Sequence, residues 1–459
     1  MLRRDQRPGR NAKLQFSIQQ HGRSRKGTSG GFFSRRYTMI QSGVASGDIT
    51  PEPGPVLQGH WNTNPSHSVL YPLEVRAVVF ADGDAQIAIA TLDVIGITKA
   101  TTDRIRAKVT NIIPGDSVMV ACSHTHCALA TLPCLGGTPD PEYMDRIVET
   151  TAACIAEAAT NLQPVTLGLG CGSAHFNINR RPLPGASSMT LNYGGIVDRR
   201  VRVLHVTGEN GTPLATLFHY ACHPTTLSGA NGIISPDYPG IARNRIEQTL
   251  GSKALFLPGC FGNIRPAILS ETGGFASATR EQLDACGHEL GDEVCRIAKG
   301  LNTRSAQGIS ARRTDIAIQF GDLMPEDELK KMAADESERG QLLTGPWAKK
   351  VLDMVASDTV PSEKPTEMQL MQIGPIALIT IPGEPVQEIG HAMEKRLRNI
   401  SGDLWPVGYA NDEVGYLCTE RQYEEGGYEP NAYPYYGEPA PYQGEEEIIL
   451  QTADTLVRG

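Results

Sequence analysis

The chain is organised around one stretch, Val118-Met119-Val120-Ala121-Cys122-Ser123-His124-Thr125-His126. Its first five residues have the length and bulk of a buried strand, and two imidazoles follow where the backbone leaves that strand. Sheets in α/β proteins place their chemistry at such strand ends. In an extended segment residues i and i+2 point the same way, so we expect His124 and His126 to face one cavity, one as a metal ligand and the other as a proton carrier or hydrogen-bond donor. Such a pair alone is more often two buried histidines bonded to backbone carbonyls, so further residues are needed to define a site.

Apolar runs on both sides of this stretch alternate between strand and helix periodicity. Strands are predicted at 75–80 and 87–92, and a helix capped by Thr102 follows them. Further strands are expected at 164–170, 201–206, 214–221, 254–257, 376–381 and 405–409, with helices near 144–162, 278–300, 324–356 and 386–397. This alternation predicts an α/β fold with mixed sheets. Residues 39–459 contain no repeat or dividing linker, so we expect them to form a single catalytic domain.

The composition excludes several classes of protein. The 459 residues are 40% hydrophobic and 20% charged, and no apolar run reaches the roughly 18 residues of a membrane span. The ten cysteines are scattered without a Cys-x-x-Cys pair, which favours buried thiols in a reducing compartment over a disulfide framework. We therefore expect a cytoplasmic protein.

The first 38 residues differ from the rest, with ten Lys or Arg against the single acid Asp5. They lack apolar periodicity, so a disordered basic arm or an overlong gene start is predicted. The remainder is acidic, because the whole chain has a formal net charge of -9, and an acidic body repels nucleic acid. Arg35 and Arg36 are not followed by the apolar stretch of an export signal.

Four predicted strands, far apart in the sequence, each end near one good metal ligand: His124, His223, Glu384 or Tyr416. Nitrogen and oxygen donors without cysteine favour a catalytic zinc ion over a structural one. Each residue has an ordinary alternative, since Glu384 suits a helix start, His223 a core position and Tyr416 a half-buried ring.

Five short motifs in order extend this pattern: Ser123 to His126, Asn179-Arg180 with Pro182, His223-Pro224-Thr225, Pro382-Gly383-Glu384, and Asn411 to Tyr416 with Thr419 and Tyr423. Together they resemble the catalytic domain of the neutral/alkaline non-lysosomal ceramidase family over nearly all of residues 39–459. The resemblance implies two central sheets flanked by helices. It also implies one zinc ion per chain held by His124, His223, Glu384 and Tyr416, with His126 and Arg180 as catalytic helpers.

This chain departs from one motif of the family. Gly-Asp-x-Ser-Pro-Asn, whose Ser has an assigned catalytic role, aligns with Gly262-Asn263-Ile264-Arg265-Pro266-Ala267, so Arg265 stands where the Ser would be. A serine nucleophile is therefore not expected. Arg265 and Asn263 are predicted to bind substrate, with a surface arginine as the alternative for Arg265.

The favoured function is zinc-dependent hydrolysis of a carboxamide in a small-molecule substrate smaller or more polar than ceramide. Lipid metabolism is one setting for such an enzyme. The two alternatives are an esterase or lactonase using the same zinc, and a non-catalytic metal-binding homologue.

Overall fold

The computed structural model describes residues 39–59, 64–134, 137–183, 189–338, 340–398 and 402–459. The prediction for the basic arm, residues 1–38, lies outside the described residues.

The described part of the chain alternates strands and helices along its length. The strands are β1 (Gln41–Asp48), β2 (Ser68–Val69), β3 (Glu74–Asp82), β4 (Ala85–Leu92), β5 (Val118–Cys122), β6 (Gln163–Ser173), β7 (Asn177–Asn179), β8 (Arg200–Gly208), β9 (Pro213–Tyr220), β10 (Ile233–Ile234), β11 (Lys253–Pro258), β12 (Ile264–Pro266), β13 (Ile309–Phe320), β14 (Glu363–Ile373), β15 (Ile376–Thr380), β16 (Glu384–Pro385), β17 (Asp403–Val407), β18 (Tyr416–Leu417) and β19 (Tyr442–Gln443). The helices are α1 (Lys99–Val109), α2 (Pro141–Thr160), α3 (Asp237–Leu250), α4 (Arg280–Lys299), α5 (Glu326–Ala333), α6 (Gly345–Ala356), α7 (Gln387–Leu397), α8 (Glu420–Glu425) and α9 (Glu445–Arg458).

Two mixed sheets form the centre of the molecule. The large sheet has the order β11-β9-β8-β6-β1-β3-β4-β5, and the smaller one the order β17-β15-β14-β13-β19. In the large sheet the pairs at the two edges, β11 with β9 and β4 with β5, are parallel, whereas the inner pairs are antiparallel. The edge pairs therefore bring strand carboxyl ends side by side at each end of the sheet.

The side chains of each strand alternate between two cores, as the period of two requires. Met119 and Ala121 of β5 pack in the core between the sheets, which also contains Leu255 of β11 and Trp405 of β17. Val118, Val120 and Cys122 point to the opposite face and pack with α1 to α4. The other face of the smaller sheet is covered by α7 and α9. The order of layers is thus helices, sheet, sheet, helices, which confirms the predicted fold class.

The chain following β17 joins the two edges of the large sheet. Gly408 donates its backbone N–H to Pro258 of β11 at 3.1 Å, and Tyr409 accepts from the N–H of Cys122 in β5 at 2.9 Å. Asn411 continues the pairing with Val120. Strand ends that are distant in the sheet therefore lie close together, and they face the beginning of β16.

Two local expectations were wrong. Thr98 caps α1, and Thr102 lies inside that helix, where its hydroxyl donates to the backbone of Asn411. His124 is not extended, because its φ of 65° lies in the left-handed region, so the period of two does not apply across Ser123 to His126.

Among the described residues, no helix has the length and apolarity to cross a membrane.

Candidate metal centre and active site

His124 is positioned by the parallel pair β4 and β5. The backbone after β5 stays bound to the chain leaving β4, through Ser123 to Leu92 at 2.8 Å and His124 to Val94 at 3.0 Å. The imidazole then bonds through Nδ1 to the carbonyl of Ile95 at 2.6 Å. A carbonyl only accepts, so Nδ1 carries the proton and Nε2 presents its lone pair.

His223 is positioned in the same way at the opposite edge, by the parallel pair β9 and β11. Its Nδ1 bonds to the carbonyls of Phe261 at 2.7 Å and Ile264 at 3.0 Å, both in the chain that follows β11. Its Nε2 is thereby left as an acceptor. Burial, followed by the charge of Arg180, lowers the pKa of His223 to about 3, so the ring is neutral at pH 7.

His126 lies two residues beyond His124 and completes the group of rings. Its Nδ1 bonds to the carbonyl of Gly59 at 2.8 Å, and its Nε2 lies 3.2 Å from Nε2 of His124. Gly59 has a φ of 93°, and a Cβ there would come within 2.5 Å of the His126 ring, so this position requires glycine.

Glu384 and Tyr416 are aligned as partners in the short parallel pair β16 and β18. Oε2 of Glu384 lies 3.1 Å from Nε2 of His223 and 3.4 Å from Nε2 of His124. The hydroxyls of Tyr409 and Tyr436 both donate to the Glu384 carboxylate. Hydrogen bonds to the charged form favour an ionised carboxylate.

These side chains have the donor set of a metal centre. Three imidazoles point acceptor nitrogens at one another and at an ionised carboxylate, an arrangement that a cation stabilises. Each imidazole has its other nitrogen fixed by a backbone carbonyl, as in known metal sites. Glu413 adds a second carboxylate, since one oxygen of it lies within 4.8 Å of the ligand atoms of His124 and Glu384.

The second oxygen of Glu413 also favours a cation. Oε1 accepts from the backbone of Gly415, but Oε2 is buried and has no hydrogen-bond partner. Burial, followed by the charge of Glu384, raises the pKa of Glu413 well above its usual range. Two carboxylates this close are costly to ionise without a positive charge between them.

Arg180 connects the centre to the neighbouring chain. One nitrogen, Nη2, donates to the Tyr416 hydroxyl at 2.8 Å and to the carbonyl of Gly262 at 2.6 Å, while Nε donates to Glu429 at 3.0 Å. Glu429 also binds Arg181, so it holds two neighbouring guanidinium groups. Among the described residues, Nη1 of Arg180 has no hydrogen-bond acceptor.

The two residues predicted to bind substrate lie outside the histidine cluster. The amide of Asn263 donates to Glu388 and accepts from the backbone of Gln387, so it holds the beginning of α7. Arg265 lines a cleft of about 1160 Å³ together with Phe275, Tyr428 and others. Substrate binding by Asn263 and Arg265 therefore stays a prediction.

Sequence reasoning missed Glu413, Glu429, Tyr409 and Tyr436. Glu413 lies inside a motif that was recognised, and a carboxylate three residues before a predicted ligand is a usable signal. Tyr436 lies in a tyrosine-rich segment that has no regular pattern, and only the tertiary structure shows which ring meets Glu384.

Comparison with known proteins identifies a family with a similar sequence. The family described as "Neutral/alkaline non-lysosomal ceramidase, N-terminal" matches residues 41–278. The neutral ceramidase of Pseudomonas aeruginosa is 24% identical over 387 residues, which is 71% of this chain and 58% of that protein. The neutral ceramidase of Mycobacterium tuberculosis is 21% identical over 472 residues, 85% of this chain and 73% of that protein.

The same likeness holds for the fold. The crystal structure of the Pseudomonas aeruginosa neutral ceramidase superposes with a TM-score of 0.68 at 18% identity, covering 91% of this chain and 75% of that one. The matched family region includes His124, His126, Arg180 and His223, whereas Glu384 and Tyr416 follow it in the sequence. Because the family match covers more than half of the chain, this protein belongs to the neutral/alkaline non-lysosomal ceramidase family.

Proposed function

We propose that the chain is a zinc-dependent amidohydrolase that cleaves the carboxamide of an N-acyl compound, with one zinc ion per chain. The observation that carries the proposal is the convergence of Nε2 of His124 and His223 with Oε2 of Glu384, each imidazole being fixed through Nδ1. Together with the aligned Tyr416, they form a donor set of nitrogen and oxygen suited to catalytic zinc. A zinc ion bound there supplies Lewis acidity and water activated near neutral pH.

The chain's own residues supply the remaining steps. Nη1 of Arg180 is placed to donate to the oxygen that gains charge when the carbonyl is attacked, while Glu429 and Tyr416 hold the guanidinium still. His126 has one nitrogen fixed by Gly59 and the other in the cluster, so Nε2 takes a proton from the attacking water and passes it to the leaving amine. An amine is a poor leaving group and must be protonated before it departs. The presence of a proton carrier in the site therefore favours an amide over an ester or lactone as the substrate.

The substrate is proposed to be smaller or more polar than ceramide. The chain's match spans 58% of the Pseudomonas enzyme, so that enzyme's substrate is not carried over as a whole. The charged Arg265, in place of the family's serine, makes the adjoining cleft less suitable for a purely apolar chain.

The test combines metal analysis with a hydrolysis screen of short and long N-acyl amides, esters and lactones. We expect about one zinc per chain and hydrolysis of amides that a chelator abolishes. His223→Ala should lose the metal and nearly all activity while far-ultraviolet circular dichroism stays unchanged, because the sheet cores do not include the imidazole. The matched control is His175→Ala, an exposed histidine outside the cluster, which should retain both.

Each contrary outcome has a separate meaning. Stoichiometric zinc retained in both His223→Ala and His124→Ala would remove the metal assignment. Hydrolysis of esters or lactones with inert amides would favour the esterase alternative, and bound zinc without any hydrolysis would favour a non-catalytic homologue.

A further inference from the structure

Arg265 is a largely buried guanidinium without a hydrogen-bond acceptor or a carboxylate partner among the described residues. Its Nε is fully buried and unpaired. The guanidinium lies over the ring of Phe275, with Cζ 4.3 Å from the ring centroid. A cation in this position has stacking on one face but none of the charge-assisted bonds that ordinarily offset its desolvation.

The surroundings make this cation costly to hold alone. Burial, followed by the charge of Arg180, lowers the pKa of Arg265 to about 10. The other charged groups of the cleft already have partners within the protein. Arg181 binds Glu429, Arg421 binds Glu425, and Glu388 accepts from Asn263. The uncompensated positive charge in the described lining is therefore that of Arg265.

The cleft around Arg265 has an apolar side as well. Leu183 and Ile196, which line it, are 45% and 44% exposed, and Met189 and Phe275 line it too. A ligand that satisfies both features carries one anionic group and an apolar body. A carboxylate matches the guanidinium fork in geometry as well as charge.

Arg265 is also tied to the metal centre through the backbone. It follows Ile264 in β12, and the carbonyl of Ile264 fixes the His223 imidazole. Arg180, which binds Tyr416, lies directly after β7, the strand paired with β12. The ring of Tyr428 faces the Arg180 guanidinium and also lines the cleft. Arg265 therefore lies on a strand that is directly bonded to the residues proposed to act on the amide.

We propose that Arg265 binds the carboxylate of an N-acyl amino acid, whose amide is the bond presented to the metal centre. The claim that the amide is presented to the metal centre rests on the proposed amidohydrolase function. The claim that Arg265 binds a carboxylate rests on the contacts of Arg265 alone. It specifies the substrate as an amphipathic anion, unlike the uncharged ceramides.

The experiment compares N-octanoylglycine with its uncharged methylamide. Binding to the full-length protein is measured by calorimetry after chelation, and kcat/KM is measured on the zinc-loaded protein. We expect Arg265→Gln to weaken binding of the carboxylate, and to lower its kcat/KM, roughly 10- to 150-fold, the scale of a lost charge-assisted contact. The methylamide should change less than about threefold, within the effect of a weak neutral contact.

Two further variants make the result specific. Arg421→Gln removes an equal charge from the same cleft, but that arginine is exposed and paired with Glu425. This variant should therefore leave the preference for the carboxylate over the methylamide unchanged. Arg265→Lys keeps the charge without the planar fork, and should recover part of the lost affinity.

Equal effects on both ligands, or none on either, would overturn the carboxylate site. Inorganic phosphate binding as tightly as N-octanoylglycine would also overturn it, because the site would then recognise any free anion. If Arg265-dependent binding persists but no amide is hydrolysed, the anion site stands and the amidohydrolase function fails. If N-octanoylglycine is hydrolysed equally well by the wild type and Arg265→Gln, the function stands and this inference fails.

Discussion

Glu384 shows how a side chain of the proposed zinc site is oriented by hydroxyl groups of residues that are not among the predicted ligands. Its Oε2 faces Nε2 of His124 and His223, while the Tyr436 hydroxyl donates to Oε1. A hydroxyl on one carboxylate oxygen fixes the plane of the carboxylate and directs the other oxygen to the imidazoles. Partners of this kind tune a metal site without being ligands.

Removing this hydroxyl should weaken metal binding at the proposed zinc site without abolishing it. We expect Tyr436→Phe to lower the affinity for zinc about 10- to 100-fold, the usual scale for loss of an outer hydrogen bond. The measurement is competition with a chromogenic chelator. Tyr433→Phe is the matched control, because Tyr433 lies in the same turn but packs against Trp347. Equal affinities in the wild type and Tyr436→Phe would show that Glu384 is oriented by other contacts.

The segment 408–411 is the element that assembles the site, since it pairs with both edges of the large sheet. Asn411 is its most constrained residue, with a φ of 66° and no exposed surface. The side-chain carbonyl accepts from Val120, and the amide nitrogen donates to Gln369 in the smaller sheet. This residue therefore links the two sheets at the point where the ligands meet.

Two substitutions separate the roles of Asn411. Asn411→Ala should destabilise the protein by about 3 to 5 kcal/mol. It leaves the buried hydrogen-bonding groups of Val120 and Gln369 without their partner, and it places alanine at a left-handed φ, which asparagine tolerates better because its side chain forms local hydrogen bonds. Asn411→Gly loses the same hydrogen bonds but adopts this φ freely, so it should be about 1 kcal/mol more stable than the alanine variant. Thermal unfolding should rank the wild type first, then glycine, then alanine. Alanine at or above glycine would contradict the role given to the backbone angle.

At the scale of the whole molecule, the packing of the two central sheets buries ionisable side chains between them. His219 in β9 accepts a hydrogen bond from Arg202 on Nδ1 at 3.0 Å and donates from Nε2 to Pro406 of β17 at 2.8 Å. Burial, followed by the charge of Arg202, lowers the pKa of His219 to about 3. The folded protein therefore excludes a proton that the unfolded chain binds below pH 6.5.

This difference predicts acid destabilisation. Between about pH 6.5 and pH 3, His219 should lower the free energy of unfolding by up to about 1.4 kcal/mol for each unit that the pH falls, whereas above pH 6.5 its contribution is complete. Between about pH 6.5 and pH 3, the unfolding free energy of His219→Gln should fall less steeply with pH than that of the wild type, by up to about 1.4 kcal/mol per pH unit. Denaturant titrations at several pH values measure it, with the exposed His175→Gln as a control that should match the wild type. Identical slopes for all three proteins would refute the assignment.

The local pattern was sufficient to predict the mixed α/β class, because buried strands and amphipathic helices differ in period. It located nine of the thirteen strands that the described residues form in the two central sheets, but not β1, β13, β14 or β19. Strand β5, for example, was located to the residue from its apolar run. Local pattern failed at Thr102, where the capping residue is Thr98, because several threonines near the start of the helix offer the same local chemistry. The predicted metal ligands came from donor chemistry together with the family resemblance, and they remain to be tested by metal analysis.

What the local pattern could not reveal depends on residues distant in the sequence. The left-handed turn at His124 is stabilised by the chain leaving β4, and the Tyr436 hydroxyl reaches Glu384 from 52 positions further along the chain. The state of Arg265 follows from which groups fold around it, since an arginine is solvated, paired or isolated only in relation to its neighbours. The sequence thus determined the layers and the kinds of donor available, whereas long-range hydrogen bonds and burial decided which side chains face the same cavity.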